Sequence, residues 1–266
     1  MRIDLPPAAL AAGMSNEPSG THTSRTMMLD ELETLLDGCA RNATYEDYAA
    51  AILSDNILHK ATYSTRQKSL RHLRELYALR ADVPVFGGLR AIWWEDPESR
   101  PLLAVMCAAA RDPLVRCSIE AIVNAAPGAQ VTPKALADAV QAAFPGRFSP
   151  DVSGRIGRNL ASTWTQSGHL ASRGRTAPKL RGRIKVRPMA GLFALYLGHL
   201  AGLSGPALLA TPWTAMLDAD AATMNGIARE AGRLGWLDFA ASGGMIQIGF
   251  DHLDSIALVG DTDGQG

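Results

Sequence analysis

Cysteine is scarce in this 266-residue chain, which has only Cys39, Cys107 and Cys117, each near Leu-, Ala- or Ile-rich sequence. An odd number at wide spacing builds neither a disulfide framework nor a CxxC metal knuckle. The three read as small buried hydrophobes in a reducing, cytoplasmic setting. Signatures of catalysis and nucleotide binding are missing as well. There is no GxxxxGK[ST] loop, and Gly154 and Gly157 fall inside a helical pattern with no strand before them, which argues against a dinucleotide fingerprint. His22, His59, His72, His169, His199 and His252 show no HxH or HExxH spacing, and no Gly-x-Ser-x-Gly elbow occurs. These absences lead to the expectation of a protein that needs no cofactor or metal and is not an enzyme.

Long apolar runs are lacking too. At the N-terminus Arg2 is followed at once by Asp4 and no adequate apolar segment comes after, unlike a signal peptide. Met189 to Ala210 is apolar, but His199 and the Ser204-Gly205-Pro206 break divide it, leaving a helix of roughly 15 residues against the ~20 that a bilayer requires. A buried core helix is expected there, and no membrane partner.

The most informative absence is of acid. From Val152 to Leu217 there is no Asp or Glu, while nine Arg and Lys residues crowd between Arg155 and Arg187. Because the whole chain is formally neutral, the remainder carries the opposite charge. A positive field without local acid is expected to face a polyanion, with nucleic acid the leading candidate. An acidic protein, or the acidic part of this same chain, is the alternative, and would make the protein a scaffold or adaptor.

What is present is mainly helical periodicity. Residues 1–28 are rich in Pro, Gly and Ser and read as a flexible tail, as do residues 256–266. A helical N-terminal domain is expected over 29–127. In it Leu29 to Leu36 is amphipathic, and Thr44 with Asp47 forms a capping-box variant opening a helix to Leu53. Leu70, Leu73 and Tyr77 mark a third helix, and Leu89–Trp94, Pro101–Ala110 and Pro113–Ala125 follow. Trp93 and Trp94 are expected to anchor a helix end in the core.

A winged helix-turn-helix-like C-terminal region with short β-hairpins is expected over 128–255. Thr132-Pro133 and Ser149-Pro150 both place a cap before a proline at the first helical position. In the second of these helices Val152, Ile156, Leu160 and Trp164 make one apolar face. Arg155, Arg158, Asn159, Ser162 and Gln166 then fall on the other side and are the predicted groove-facing set. Beyond Gly168 the pattern turns to two strands, His169–Ser172 and Leu180–Arg187. Arg173, Arg175, Lys179, Arg181, Arg183, Lys185 and Arg187 on this basic hairpin are the predicted phosphate contacts. Helices at Met189–Ala201, Thr211–Leu217 and Ala219–Leu234, then a hairpin over 236–250, repeat this grammar without the basic charge. That second copy reads as a packing or protein-contact unit.

Asp55-Asn-Ile-Leu-His-Lys60, followed by Ser64-Thr-Arg-Gln-Lys-Ser-Leu-Arg-His-Leu-Arg-Glu-Leu76, resembles the N-terminal helical region of BrxA proteins from BREX phage-defence systems. Pro101 to Val123, with its cysteine-containing apolar helix and Glu120, is similar to the next part of that pattern. The likeness spans roughly the first half of the folded chain. It implies a small, mostly helical, non-enzymatic component that binds double-stranded DNA beside a methyltransferase and large ATPases. It also implies a second DNA-facing surface at Lys60, Arg66, Lys68 and Arg71.

Overall fold

The computed structural model describes residues 4–258 apart from Ser19, Arg173, Arg175, Thr176, Gly243 and Gly244. The N-terminal elements are α1 (Pro7–Ala11), a 3-10 turn at Thr21–Thr23, α2 (Leu29–Gly38), α3 (Tyr45–Leu53), α4 (Tyr63–Tyr77), α5 (Pro84–Ile92) and α6 (Arg100–Arg111). Capping explains their boundaries. Thr44 Oγ1 accepts from the Asp47 N–H while Asp47 accepts from the Thr44 N–H, so α3 opens on a reciprocal box. At α4 the cap is Thr62, which pairs with Thr65. The expected single helix from Pro113 is two short ones, α7 (Pro113–Arg116) and α8 (Ile119–Val123).

The chain then turns into α9 (Pro133–Ala143) and α10 (Pro150–Gln166), capped by Thr132 and Ser149 with proline at the first helical position. Two short strands follow, β1 (Leu170–Ala171) and β2 (Leu180–Arg181), paired antiparallel. The segment before α9 lies on the other side of β2. Gln130 bridges Leu180, the Val131 N–H donates to the Lys179 carbonyl at 3.0 Å, and the Arg181 N–H donates to the Ala129 carbonyl at 2.8 Å. Next come α11 (Pro188–Leu200), α12 (Pro212–Ala215), α13 (Ala221–Arg233), β3 (Asp238–Ser242), β4 (Met245–Gly249) and α14 (Asp251–Leu258). The architecture is therefore mainly helical with two small antiparallel hairpins.

Nearly every side chain of α11 from Met189 to Leu197 is buried, as expected for a core helix, and it packs on α5, α6, α12 and α13. No helix of the described residues is long and apolar enough to cross a membrane. Trp93 is fully buried, and the half-buried Trp94 lies under the Arg41 guanidinium, 5.0 Å from the ring centroid.

Two expectations about the chain's organisation are overturned. Residues 4–28 are no flexible tail: Leu5, Ala9, Met14, Met27 and Met28 enter the hydrophobic core. Arg116 Nη2 donates to the Ser15 carbonyl at 2.7 Å, and Arg111 holds the Gly13 carbonyl. The proposed boundary near residue 127 also does not separate two cores, because one contiguous cluster runs from Leu5 to Leu253 and α5 packs against both α11 and α14. At the other end α14 continues to Leu258, beyond the expected start of a C-terminal tail.

Candidate nucleic-acid interface

The exposed face of α10 is built by what its other faces bury. Ile156, Leu160, Ala161 and Trp164 are fully buried, and Gly157 lets α9 approach so closely that a Cβ there would stand 2.1 Å from the Pro133 carbonyl oxygen. Arg155 and Arg158 are left exposed to solvent, and Ser162 half-exposed beside them. No carboxylate bonds either arginine among the described residues. Both arginines thus lie opposite the buried apolar face, where the helical periodicity placed them.

They part on the polar members. Asn159 is not free for a groove, because its Nδ2 donates to the His22 carbonyl at 2.9 Å. Gln166 is half-buried, with Oε1 sealed from solvent and lacking a hydrogen-bond partner among the described residues. Both depend on neighbours that the helical wheel does not contain.

The hairpin divides in the same way. Arg181 is only 3 % exposed and points inward. Its Nε donates to the Ile122 carbonyl at 2.9 Å and its guanidinium pairs with Asp218, whose other oxygen accepts from the Ile184 N–H at 2.8 Å. Regular pairing ends at Arg181, so the alternation that put all the basic residues on one side does not extend through Gly182. Arg187 is half-buried and bonded to Asp96 at 2.7 Å and to Glu98, acids of the N-terminal half. Lys179 Nζ donates to Thr165 Oγ1 at 2.5 Å, and burial holds its ammonium below the usual lysine value. These three are structural rather than phosphate contacts. Arg183 and Lys185 remain exposed, while Arg173 and Arg175 lie outside the described residues.

On α4 and in the segment before it, the resemblance-derived residues also separate. Lys60 pairs with Glu31 at 3.0 Å, and Arg66 Nη1 donates to the Leu53 carbonyl at 2.9 Å, so both serve the local fold. Lys68 and Arg71 are exposed, with Arg71 Nε 3.7 Å from the Glu75 carboxylate.

One constellation has the look of catalytic machinery. His22 Nδ1 lies 2.7 Å from Asp112 Oδ2 and Nε2 lies 3.0 Å from Thr163 Oγ1. All three residues are 0 % exposed, and Thr163 Oγ1 also accepts from the Met27 N–H at 3.0 Å. A nucleophile needs access to substrate. This trio instead clasps the N-terminal segment to α10 and to the start of α7. A second buried histidine, His169, lies between Ser167 and the Met216 carbonyl, and burial pulls its imidazole down to about 4. Cys107 and Cys117 are buried, which pushes both thiols up to about 12. Among the described residues no three His, Cys, Asp or Glu side chains are grouped as metal ligands would be.

Sequence reasoning missed Arg25. It is exposed beside the 3-10 turn that α10 holds, within a segment whose composition hid its packing. No protein-family model and no curated protein sequence matches this chain.

Proposed function

We propose that the protein binds duplex DNA without catalysis, using residues 119–187 as a winged helix-turn-helix. The carrying observation is the unneutralised charge of Arg155 and Arg158 on the open face of α10, with Arg183 and Lys185 exposed on the segment after β2. The order of elements supports the same reading. A short helix, a strand-like segment, α9, α10 and a hairpin, with that segment bridged to β2, are the parts of a winged helix. An α-helix about 10–12 Å across matches a major groove ~12 Å wide, and in this reading the hairpin beside it follows phosphates. The resemblance of residues 55–76 to BrxA proteins extends the proposal to a component of a BREX-type phage-defence system. A methyltransferase and large ATPases are then the candidate fellow subunits.

Binding to a mixed-sequence duplex across a salt series tests this. Four cationic contacts to DNA, two from α10 in the groove and two from the hairpin, give a log-log slope of at least roughly −4, by the −0.9 per neutralised phosphate expected for B-DNA. Arg183→Ala with Lys185→Ala makes the slope shallower by about 2. A duplex that stays unbound at low salt removes the reading. The alternative is then an adaptor whose basic face docks an acidic protein, as Asp96 and Glu98 already dock Arg187 within the chain.

A further inference from the structure

The face of α10 does not end at its own side chains. Thr21 Oγ1 is 3.2 Å from His72 Nδ1 on α4, and the very next residue, His22, accepts through its carbonyl from Asn159 on α10 at 2.9 Å. Consecutive Cα atoms are about 3.8 Å apart, so a single 3-10 turn spans the gap between the two helices. The Arg25 N–H donates back to the Thr21 carbonyl at 2.8 Å, which folds Arg25 over that turn. Its guanidinium touches the Ser24 carbonyl at 3.2 Å and is otherwise exposed. Beside His72, Arg71 Nη2 stands 3.4 Å from the ring. His72 sits below the usual histidine value chiefly through burial. Glu75 opposes that shift, while Arg71 and Arg25 act in the same direction as burial. Glu75 is engaged by Thr21 as well as by Arg71, while Arg25 and Lys68 have no carboxylate partner among the described residues.

We infer that the Thr21–Thr23 turn joins α10 and α4 into one continuous track for the DNA backbone, on which Arg25, Lys68 and Arg71 contact phosphates beyond those met by Arg155 and Arg158. The inference rests on the DNA-binding reading and extends it to the N-terminal segment. These cations read no base. They fix orientation and lengthen the footprint, so their removal weakens binding to every sequence alike.

The test uses the full chain and a salt series on mixed-sequence duplex. Changing Arg25, Lys68 and Arg71 together to Ala is expected to make the slope shallower by roughly 2 to 3, and Arg25→Ala alone by about 1. All three side chains are exposed, and an unchanged melting temperature checks that the fold persists. Arg155→Ala with Arg158→Ala is measured alongside. If this α10 variant weakens binding while the triple variant keeps the wild-type slope, the track is wrong and the DNA-binding reading stands. If the wild-type protein does not bind duplex, both are wrong.

Discussion

Residues 119–187 and 188–250 each run through three helices into an antiparallel hairpin, yet they present opposite surfaces. In the first, the hairpin strands are two residues long and β2 is bridged on its far side by Gln130. In the second, the strands are five residues long, and a 3-10 turn at Gly205–Leu209 packs where the bridging segment would be. The long helix of the first, α10, shows Arg155 and Arg158 to solvent. On α13, Arg233 is bonded to Glu230 at 2.6 Å, and Arg229 lies 5.8 Å from the Phe239 ring centroid. The same local grammar thus yields two units, and the placement of acid decides which of them offers a positive field. Asp218 and Asp220 flank α13, and Asp238 and Asp251 flank its hairpin, whereas the first unit has no acid after Asp151.

The units meet at Arg181, which sequence reasoning assigned to phosphate, and at His169, which it did not. Arg181 of the first reaches Asp218 of the second, and His169 of the first donates from Nε2 to the Met216 carbonyl of the second. Arg181→Ala therefore leaves a half-buried carboxylate without its partner. A loss of about 3–5 kcal/mol in unfolding free energy is expected, measured by urea denaturation. The corresponding cut in the second unit, Arg233→Ala, removes an exposed i, i+3 pair that solvent screens, so a far smaller loss is expected. Equal losses would show that Arg181 is not the joint described here. The contrast also decides how the wing is tested, because a variant that includes Arg181 would lose DNA binding through unfolding.

His169 sharpens the comparison through pH. Its folded value of about 4 lies below the ordinary histidine value, so between pH 6.5 and 4 the unfolded chain binds a proton that the folded chain refuses. The stability from this site is whole above pH 6.5 and falls as the pH drops toward 4, by a total of about 3 kcal/mol. His169→Gln keeps a side-chain donor and cannot titrate, and it should flatten the profile in that window. A variant that keeps the wild-type slope would assign the pH dependence to another group.

The limits of the sequence reading follow from the range of the forces involved. Capping is local, so Thr44 with Asp47, Thr132-Pro133 and Ser149-Pro150 marked helix starts that the structure keeps. The apolar face of α10 was legible for the same reason, and its opposite face gave Arg155 and Arg158. What could not be read is whatever depends on distant partners. His22 anchors residues 4–28 through Asp112 and Thr163, 90 and 141 positions away, so a Pro- and Gly-rich composition concealed an ordered segment. Arg181 follows from the same cause. Its inward direction is set by the Ile122 carbonyl and by Asp218, neither of which the alternation of the strand can reveal.

The smallest effect separates the two units at a pair of helical glycines. At Gly157 a Cβ would stand 2.1 Å from the Pro133 carbonyl oxygen and 3.0 Å from Ala137 Cβ, so α9 and α10 touch there only because no side chain intervenes. Gly157→Ala must push two backbones apart, at a cost of about 1–3 kcal/mol as in other overpacked cores. Gly226, on α13, has nothing within 4 Å of the same position and is exposed. There alanine meets no atom and reduces the freedom of the unfolded chain, so Gly226→Ala should stabilise by roughly 0.5–1 kcal/mol. Thermal unfolding of the two single variants reads both signs in one experiment. A loss at Gly157 beside a gain at Gly226 means that the α9–α10 pair is a rigid module with a defined face, while α13 has space its packing does not use. A gain at both positions would mean that α9 and α10 can separate without cost, and the fixed presentation of Arg155 and Arg158 would lose its structural basis.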